Sequence, residues 1–216
     1  IDIEASEIGR NYPTEVGVVA DAKAALRVLN RVAREMYPNG FKRPQLVQKI
    51  VDFRTQFKAS NKAMQTSNAF PMMPERILAD LRKALPDDAI ITTDVGWNKN
   101  GLGQQFDIMT PGSVLTPGGF ATMGFGPPAA IGAKIAAPER VVVSLVGDGG
   151  FGQNPAMLAT AAARGLGILW LVMNNNAFGT IAGLQKAHYG TTYGTVFDGQ
   201  TGAQELQPNY AAIAGA

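Results

Sequence analysis

Cysteine is missing from all 216 positions of the chain. Disulfides, thiolate nucleophiles, zinc–thiolate sites and iron–sulfur clusters are thereby excluded. Histidine is almost missing: His188 stands alone, so serine–histidine hydrolysis, histidine-rich metal sites and HExxH chemistry would all have to pass through it. Its surroundings, "QKAHYGTT", fit none of these patterns, and it reads as a loop or helix-end histidine. A charge excess of one sign is absent as well, since 19 Lys and Arg against 17 Asp and Glu leave a formal +2. The basic residues are scattered singly with no interleaved aromatics, which argues against a nucleic-acid partner. Long apolar runs are lacking too: Val141–Val146 and Ile168–Met173 are far too short to span a bilayer. The acidic opening "IDIEASEIGR" has no basic region followed by an apolar core, so it is no signal peptide. A cytoplasmic protein without a membrane partner is the expectation.

What is present is the composition of a globular protein, 46% hydrophobic and 17% charged. The opening "IDIEASEIGRNYP" alternates apolar and acidic residues like a strand without partners. Helical spacing follows in "DAKAALRVLNRVAREM", which Asp21 can cap, and in "PQLVQKIVDFRTQFKAS", where Pro44 suits a first helical position. "NKAMQTSNAFPMM" reads as a polar linker. From Pro74 onward helices and apolar runs alternate. "PERILADLRKAL" is amphipathic, "DDAIITTDVG" is apolar and ends polar, and "GWNKNGLGQQF" is helical. A glycine-rich loop feeds a helix in "GSVLTPGGFATMGFGPPAAIGAKIAA". "RVVVSLVGDGG" and "GILWLVMNNN" are strands buried on both faces, separated by the small-residue helix "PAMLATAAARG". This alternation predicts an α/β fold with a parallel, doubly wound sheet and helices on both faces. Ligands of such sheets bind beyond the strand ends, here Asp94-Val95-Gly96, Gly147-Asp148-Gly149 and Asn174-Asn175-Asn176. Asp94 is expected to cap the helix that follows it.

Gly147, Gly149 and Gly152 match G-x-G-x-x-G, the dinucleotide pattern, but Asp148 sits inside it and no acidic residue follows about 20 positions later to hold a ribose. A nicotinamide or flavin Rossmann protein is therefore disfavoured. A carboxylate beside a diphosphate becomes attractive if magnesium lies between them. The metal takes oxygen ligands, and Asn174 or Asn175 on the next strand end could add an amide oxygen. The small residues after Asp148 admit the ligand to the backbone, and the helix beyond points its amides at the anion.

"GDG", 24 residues (150–173), then "NN" resembles the cofactor motif of thiamine-diphosphate-dependent enzymes. "AIITTDVG", "GGFATMGFGPPAAIGAK" and "VGDGGFGQNPAMLATA" are similar, in order and spacing, to the acetolactate synthase-like branch of the pyruvate oxidase and decarboxylase group. The resemblance implies that residues 1–38 end a preceding middle domain, that 39–73 form a linker with a helix, and that 74–216 are the thiamine-diphosphate domain, incomplete at its C-terminus. It implies Asp148 and Asn175 as magnesium ligands through their side chains and Ala177 through its carbonyl, with Gly179 fixing the loop. Gly149 and Gly150 would offer amides to the diphosphate. Gly96, Trp97 and Asn98 would line its other side, and Phe178 would belong to the same cofactor site. Met123 would hold the cofactor bent between its rings, and the Ala121 carbonyl would accept a hydrogen bond from the aminopyrimidine.

The implied reaction is decarboxylation of a 2-oxo acid followed by carboligation to an acceptor carbonyl. The alternatives are simple decarboxylation and a cofactor-binding module without turnover. The family's activating glutamate lies in an N-terminal domain that no segment here resembles, so this chain, read as a fragment, is expected to be inactive alone. The missing part leaves room for FAD. Leu184 stands where acetolactate synthases carry a tryptophan, and Trp97-Asn98 replaces a glutamine–histidine pair. The family's sites form between subunits, which implies a homodimer or homotetramer of the intact protein.

Overall fold

The computed structural model describes residues 1–197 and 208–215. The chain divides into two compact units, Ile1–Lys58 and Ala59–Ala216. In the first, α1 (Ala22–Met36) starts as the sequence predicts, with the Asp21 carboxylate accepting from the Ala24 amide at 2.9 Å. Its apolar residues Leu26, Leu29 and Val32 are exposed. The opening segment is not a strand: it forms a 3-10 turn over Ala5–Glu7, and Asp2 makes an isolated bridge to Val19. Alternation alone makes no strand without a neighbouring chain to complete its hydrogen bonds. Helix α2 (Pro44–Gln65) also outruns its expected end. "NKAMQ" has no Gly or Pro to stop a helix, and the polar linker begins only after it.

The second unit is built on a parallel sheet ordered β2-β1-β3-β4, formed by β1 (Ile90–Thr93), β2 (Val114–Leu115), β3 (Val142–Gly147) and β4 (Leu169–Met173). Alternate residues of β1 and β3 serve opposite faces. Ile91, Val143 and Leu145 pack on Leu78 and Leu81 of α3 (Pro74–Ala84) and on Leu102 of α4 (Trp97–Gln105). Ile90 and Val142 pack on Ala130 and Ala133 of α5 (Gly126–Ala136). Val146 packs on Phe151 of α6 (Asp148–Phe151) and Met157 of α7 (Met157–Ala163). The sheet is thus covered on both sides, the doubly wound arrangement that the continuous apolar runs predict. Strand β2 escapes sequence reading because "SVL" is too short to show a period. Strand β4 is an outer strand of the four, so it is only half-buried, and Leu169 is exposed. Helices α8 (Gly179–Tyr189) and α9 (Tyr210–Gly215) complete the described elements. His188 falls in the last turn of α8, as expected. Among the described residues no helix is long and apolar enough to cross a membrane.

Candidate functional site

The chain leaves β1 toward β2 on one side, and then returns past β1 to place β3 on the other. The carboxyl ends of β1 and β3 therefore flank a topological switch point, where an open α/β sheet forms its crevice. Asp94 follows β1 directly and is fully buried. It does not cap α4, whose N-cap is Gly96 with no side-chain bond. Instead its Oδ1 accepts from the Val95 amide and its Oδ2 from the Gly124 amide, both at 2.7 Å. The turn geometry decides this: Gly96 at φ +117° swings the chain so that α4 starts three residues beyond Asp94. Asn98 is buried in the first turn of α4, and its amide donates to Thr93 Oγ1 at 2.9 Å and the Leu145 carbonyl at 3.2 Å. It ties the ends of β1 and β3 together across the crevice. The Trp97 ring lies back along α4, where a Cβ on Gly101 would come within 2.5–2.9 Å of it.

At the end of β3, Gly147 is the N-cap of α6 and Asp148 its first residue. Asp148 is 4% exposed. Its Oδ1 accepts from the Gly149 amide at 3.0 Å, and among the described residues it has no basic partner. A Cβ on Gly149 would stand 2.7 Å from Phe178 Cε1 and 3.0 Å from Met123 Cε. Three residues from distant parts of the sequence, Met123, Gly149 and Phe178, therefore meet at the start of α6. Two positions before Met123, Ala121 holds φ +53°, a left-handed conformation that costs an L-residue about 1–2 kcal/mol. Strain of that kind, kept in a loop beside a crevice, is a reason to examine the Ala121 backbone as a binding group.

The third strand end supplies the asparagines. Gly147 pairs with Met173 across β3 and β4, so Asp148 and Asn174 each stand one residue beyond that rung and Asn175 two. Asn175 Oδ1 accepts from the Ala177 amide at 3.2 Å. A Cβ on Gly179 would come within 2.8 Å of Asn175 Nδ2, so glycine there leaves room for that side chain. The loop is braced from behind: Ala177 bridges Val196, the Phe178 amide donates to the Thr195 carbonyl at 2.9 Å, and the Phe197 amide donates to the Asn176 carbonyl at 2.9 Å. Gln185 of α8 holds the bracing segment, accepting from Thr195 Oγ1 at 2.6 Å and from the Tyr193 amide at 3.2 Å. Thr180 Oγ1 reaches the other wall, 3.8 Å from where a Gly96 Cβ would stand.

This donor set suits a hard divalent cation and an anion together. A buried carboxylate without a counter-charge is costly, and a carboxylate, an amide oxygen and a backbone carbonyl are the hard oxygen ligands that magnesium takes. Among the described residues no three His, Cys, Asp or Glu side chains cluster into a metal site, so a metal here would need its remaining ligands from diphosphate and water. Tyr210 closes the far side. Its hydroxyl donates to the Asp148 carbonyl at 3.0 Å and its ring packs edge-on against Phe151 at 5.6 Å. Burial, with the negative charge of Asp148 added, pushes its phenol above the ordinary range. Sequence reasoning misses Gln185 and Tyr210 as contributors and gives Asp94 a different role, because each acts on a partner at least eight residues away that no local pattern names.

Comparison with known proteins identifies the family. The family model of the thiamine pyrophosphate enzyme C-terminal TPP-binding domain matches residues 94–216. The chain is 33% identical over 203 residues to the probable acetolactate synthase large subunit of Methanococcus aeolicus, covering 88% of this chain and 33% of that protein. It is 34% identical over 209 residues to the probable acetolactate synthase large subunit of Methanocaldococcus jannaschii, covering 93% and 34% respectively. With the chloroplastic acetolactate synthase of Arabidopsis thaliana it shares 33% identity over 222 residues, 100% of this chain and 32% of that protein. The chain spans about a third of the length of the curated relatives it matches. With the crevice, its glycines and the buried Asp148 in place, the chain belongs to the thiamine pyrophosphate enzymes, its residues 94–216 matching their C-terminal TPP-binding domain.

Proposed function

We propose that the intact protein holds thiamine diphosphate through magnesium, decarboxylates a 2-oxo acid with it, and joins the remaining fragment to an acceptor carbonyl. The observation that carries this reading is the buried Asp148 at the start of α6, without a basic partner among the described residues, beside the Met123–Gly149–Phe178 contact. In this reading Asp148 and Asn175, with the Ala177 carbonyl, hold the metal. The amides of Gly149 and Gly150 bind the diphosphate, and Gly96, Trp97 and Asn98 form the opposite wall. Met123 supports the rings, and the Ala121 carbonyl accepts from the aminopyrimidine. When bound, the cofactor supplies a carbon nucleophile and an electron sink for loss of carbon dioxide. The chain's own residues orient it and exclude water.

Carboligation is supported by the acetolactate synthase relatives. Decarboxylation without carboligation is a second reading, favoured by the exposed Leu184 on α8, where the resemblance calls for tryptophan. The proton relay is assigned to a glutamate outside this chain, so residues 1–216 alone are proposed to bind without turnover. Two or four copies of the intact protein, in the cytoplasm, complete the proposal; flavin forms no part of it.

Titration calorimetry tests it. Thiamine diphosphate should bind only with magnesium present, and Asp148→Ala should abolish binding while the protein stays folded by circular dichroism. Magnesium-indifferent binding of thiamine diphosphate, or binding of NADH in its place, would overturn the reading. With the intact protein and pyruvate, carbon dioxide with a condensed product supports carboligation, and carbon dioxide with an aldehyde supports the second reading.

A further inference from the structure

Asp94 touches three separate parts of the crevice wall. Its two carboxylate oxygens hold the amides of Val95 and Gly124. Its Oδ2 and Cγ lie 2.5 and 2.8 Å from where a Cβ on Gly150 would stand. Gly124 follows Met123 directly, and Gly150 follows Gly149. The loop is pinned on its other side as well: Thr92 Oγ1 donates to the Gly126 carbonyl at 2.7 Å, and a Cβ on Gly126 would press within 3.1–3.3 Å of the Thr93 and Asp94 backbone. One buried carboxylate thus fixes the end of β1, the glycine-rich loop and the first turn of α6 against one another. Both of its bonds come from N–H donors, so an ionised carboxylate satisfies both, whereas an amide of the same size can accept one and must turn an N–H₂ toward the other.

We infer that Asp94 is a positioning residue that sets the distance between the loop carrying Ala121 and Met123 and the α6 turn carrying Asp148 and Gly149. The inference rests on the proposed cofactor reading, because it assigns those two walls to different parts of one ligand. The loop side supports the rings, and the α6 side holds the diphosphate. Loosening Asp94 therefore weakens binding of the whole cofactor and spares binding of the diphosphate group alone.

The test compares wild type with Asp94→Asn, measuring the Kd of thiamine diphosphate and, separately, of inorganic diphosphate, both with magnesium in excess. The expected result is a rise in the thiamine diphosphate Kd of about tenfold or more, equivalent to about 1.4 kcal/mol, with the inorganic diphosphate Kd within about twofold of wild type. In a Met123→Ala background the same Asp94→Asn change should have a smaller effect, because the group through which it acts is gone. An unchanged thiamine diphosphate Kd, or an equal loss for both ligands, would overturn the inference. Wild type binding neither ligand would instead overturn the cofactor reading itself. Should Asp94→Asn not fold, amide hydrogen exchange on the wild type decides: the Gly124 amide should be protected without cofactor, and exchange at the rate of an open loop would sink the inference.

Discussion

Gly150→Ala gives the most direct measure of how tightly the crevice is built. In an ordinary helix the change is favourable, because alanine is better than glycine by about 0.5–1 kcal/mol. Here the new methyl would stand 2.5 Å from Asp94 Oδ2, 2.8 Å from its Cγ and 3.0 Å from Val146 Cγ2. None of these atoms is the loose end of a flexible side chain. Asp94 is fully buried and held by two 2.7 Å bonds, and Val146 is fully buried in β3. Overpacking of this kind costs about 1–3 kcal/mol. Pulling Asp94 away from one amide adds about 1.5–3 kcal/mol, the worth of a hydrogen bond to a charged group. Against the small helix gain the net is a loss of roughly 3 kcal/mol, which for a chain of this size lowers the unfolding midpoint by roughly 6–12 °C. Gly132→Ala is the matched control. It lies inside α5 with nothing within 4 Å of its added methyl, so it should stabilise by about 0.5–1 kcal/mol. Both variants are read by urea and thermal denaturation followed by circular dichroism. Gly150→Ala unfolding at or above the wild-type midpoint would refute the reasoning, since Asp94 would then have room to yield.

Two further outcomes follow from the outer contacts of the site. Gln185→Leu removes the acceptor shared by Thr195 Oγ1 and the Tyr193 amide, so hydrogen exchange at the Phe178 and Phe197 amides should quicken by about tenfold, for a loss of about 1–1.5 kcal/mol in local opening; unchanged exchange there would show that the asparagine loop does not depend on α8. Tyr210→Phe keeps the edge-on packing against Phe151 but deletes the bond to the Asp148 carbonyl, and denaturation should register a loss of about 0.5–1.5 kcal/mol, whereas a stabilised variant would mean that bond has no net value.

The three strand ends could be located from sequence because each is a change of chemistry within a few residues. "IITTD", "SLVGD" and "LVMNN" pass from apolar to polar where the sheet ends, and the rule that ligands gather beyond strand ends does the rest. Asp148 stands out in the sequence for the same reason: a carboxylate between glycines after a buried strand has little packing use. Asp94 departs from the expectation of a helix cap, because a partner 30 residues away takes its carboxylate. The opening segment departs from a strand in a similar way, since its alternation carries no information about whether a second strand stands beside it.

The sequence by itself determined the class of fold, the order of its elements and the residue types gathered at the strand ends, because hydrophobic period, glycine placement and charge act over short stretches of chain. Only the tertiary structure decided which of these residues share a wall. Met123, Gly149 and Phe178 meet, Asn98 ties β1 to β3, and Asp94 holds the glycine-rich loop against α6. Those contacts depend on strand order and on the side of the sheet to which each connection returns. Both are set by packing two helical layers onto one twisted sheet, and no window of neighbouring residues contains that information.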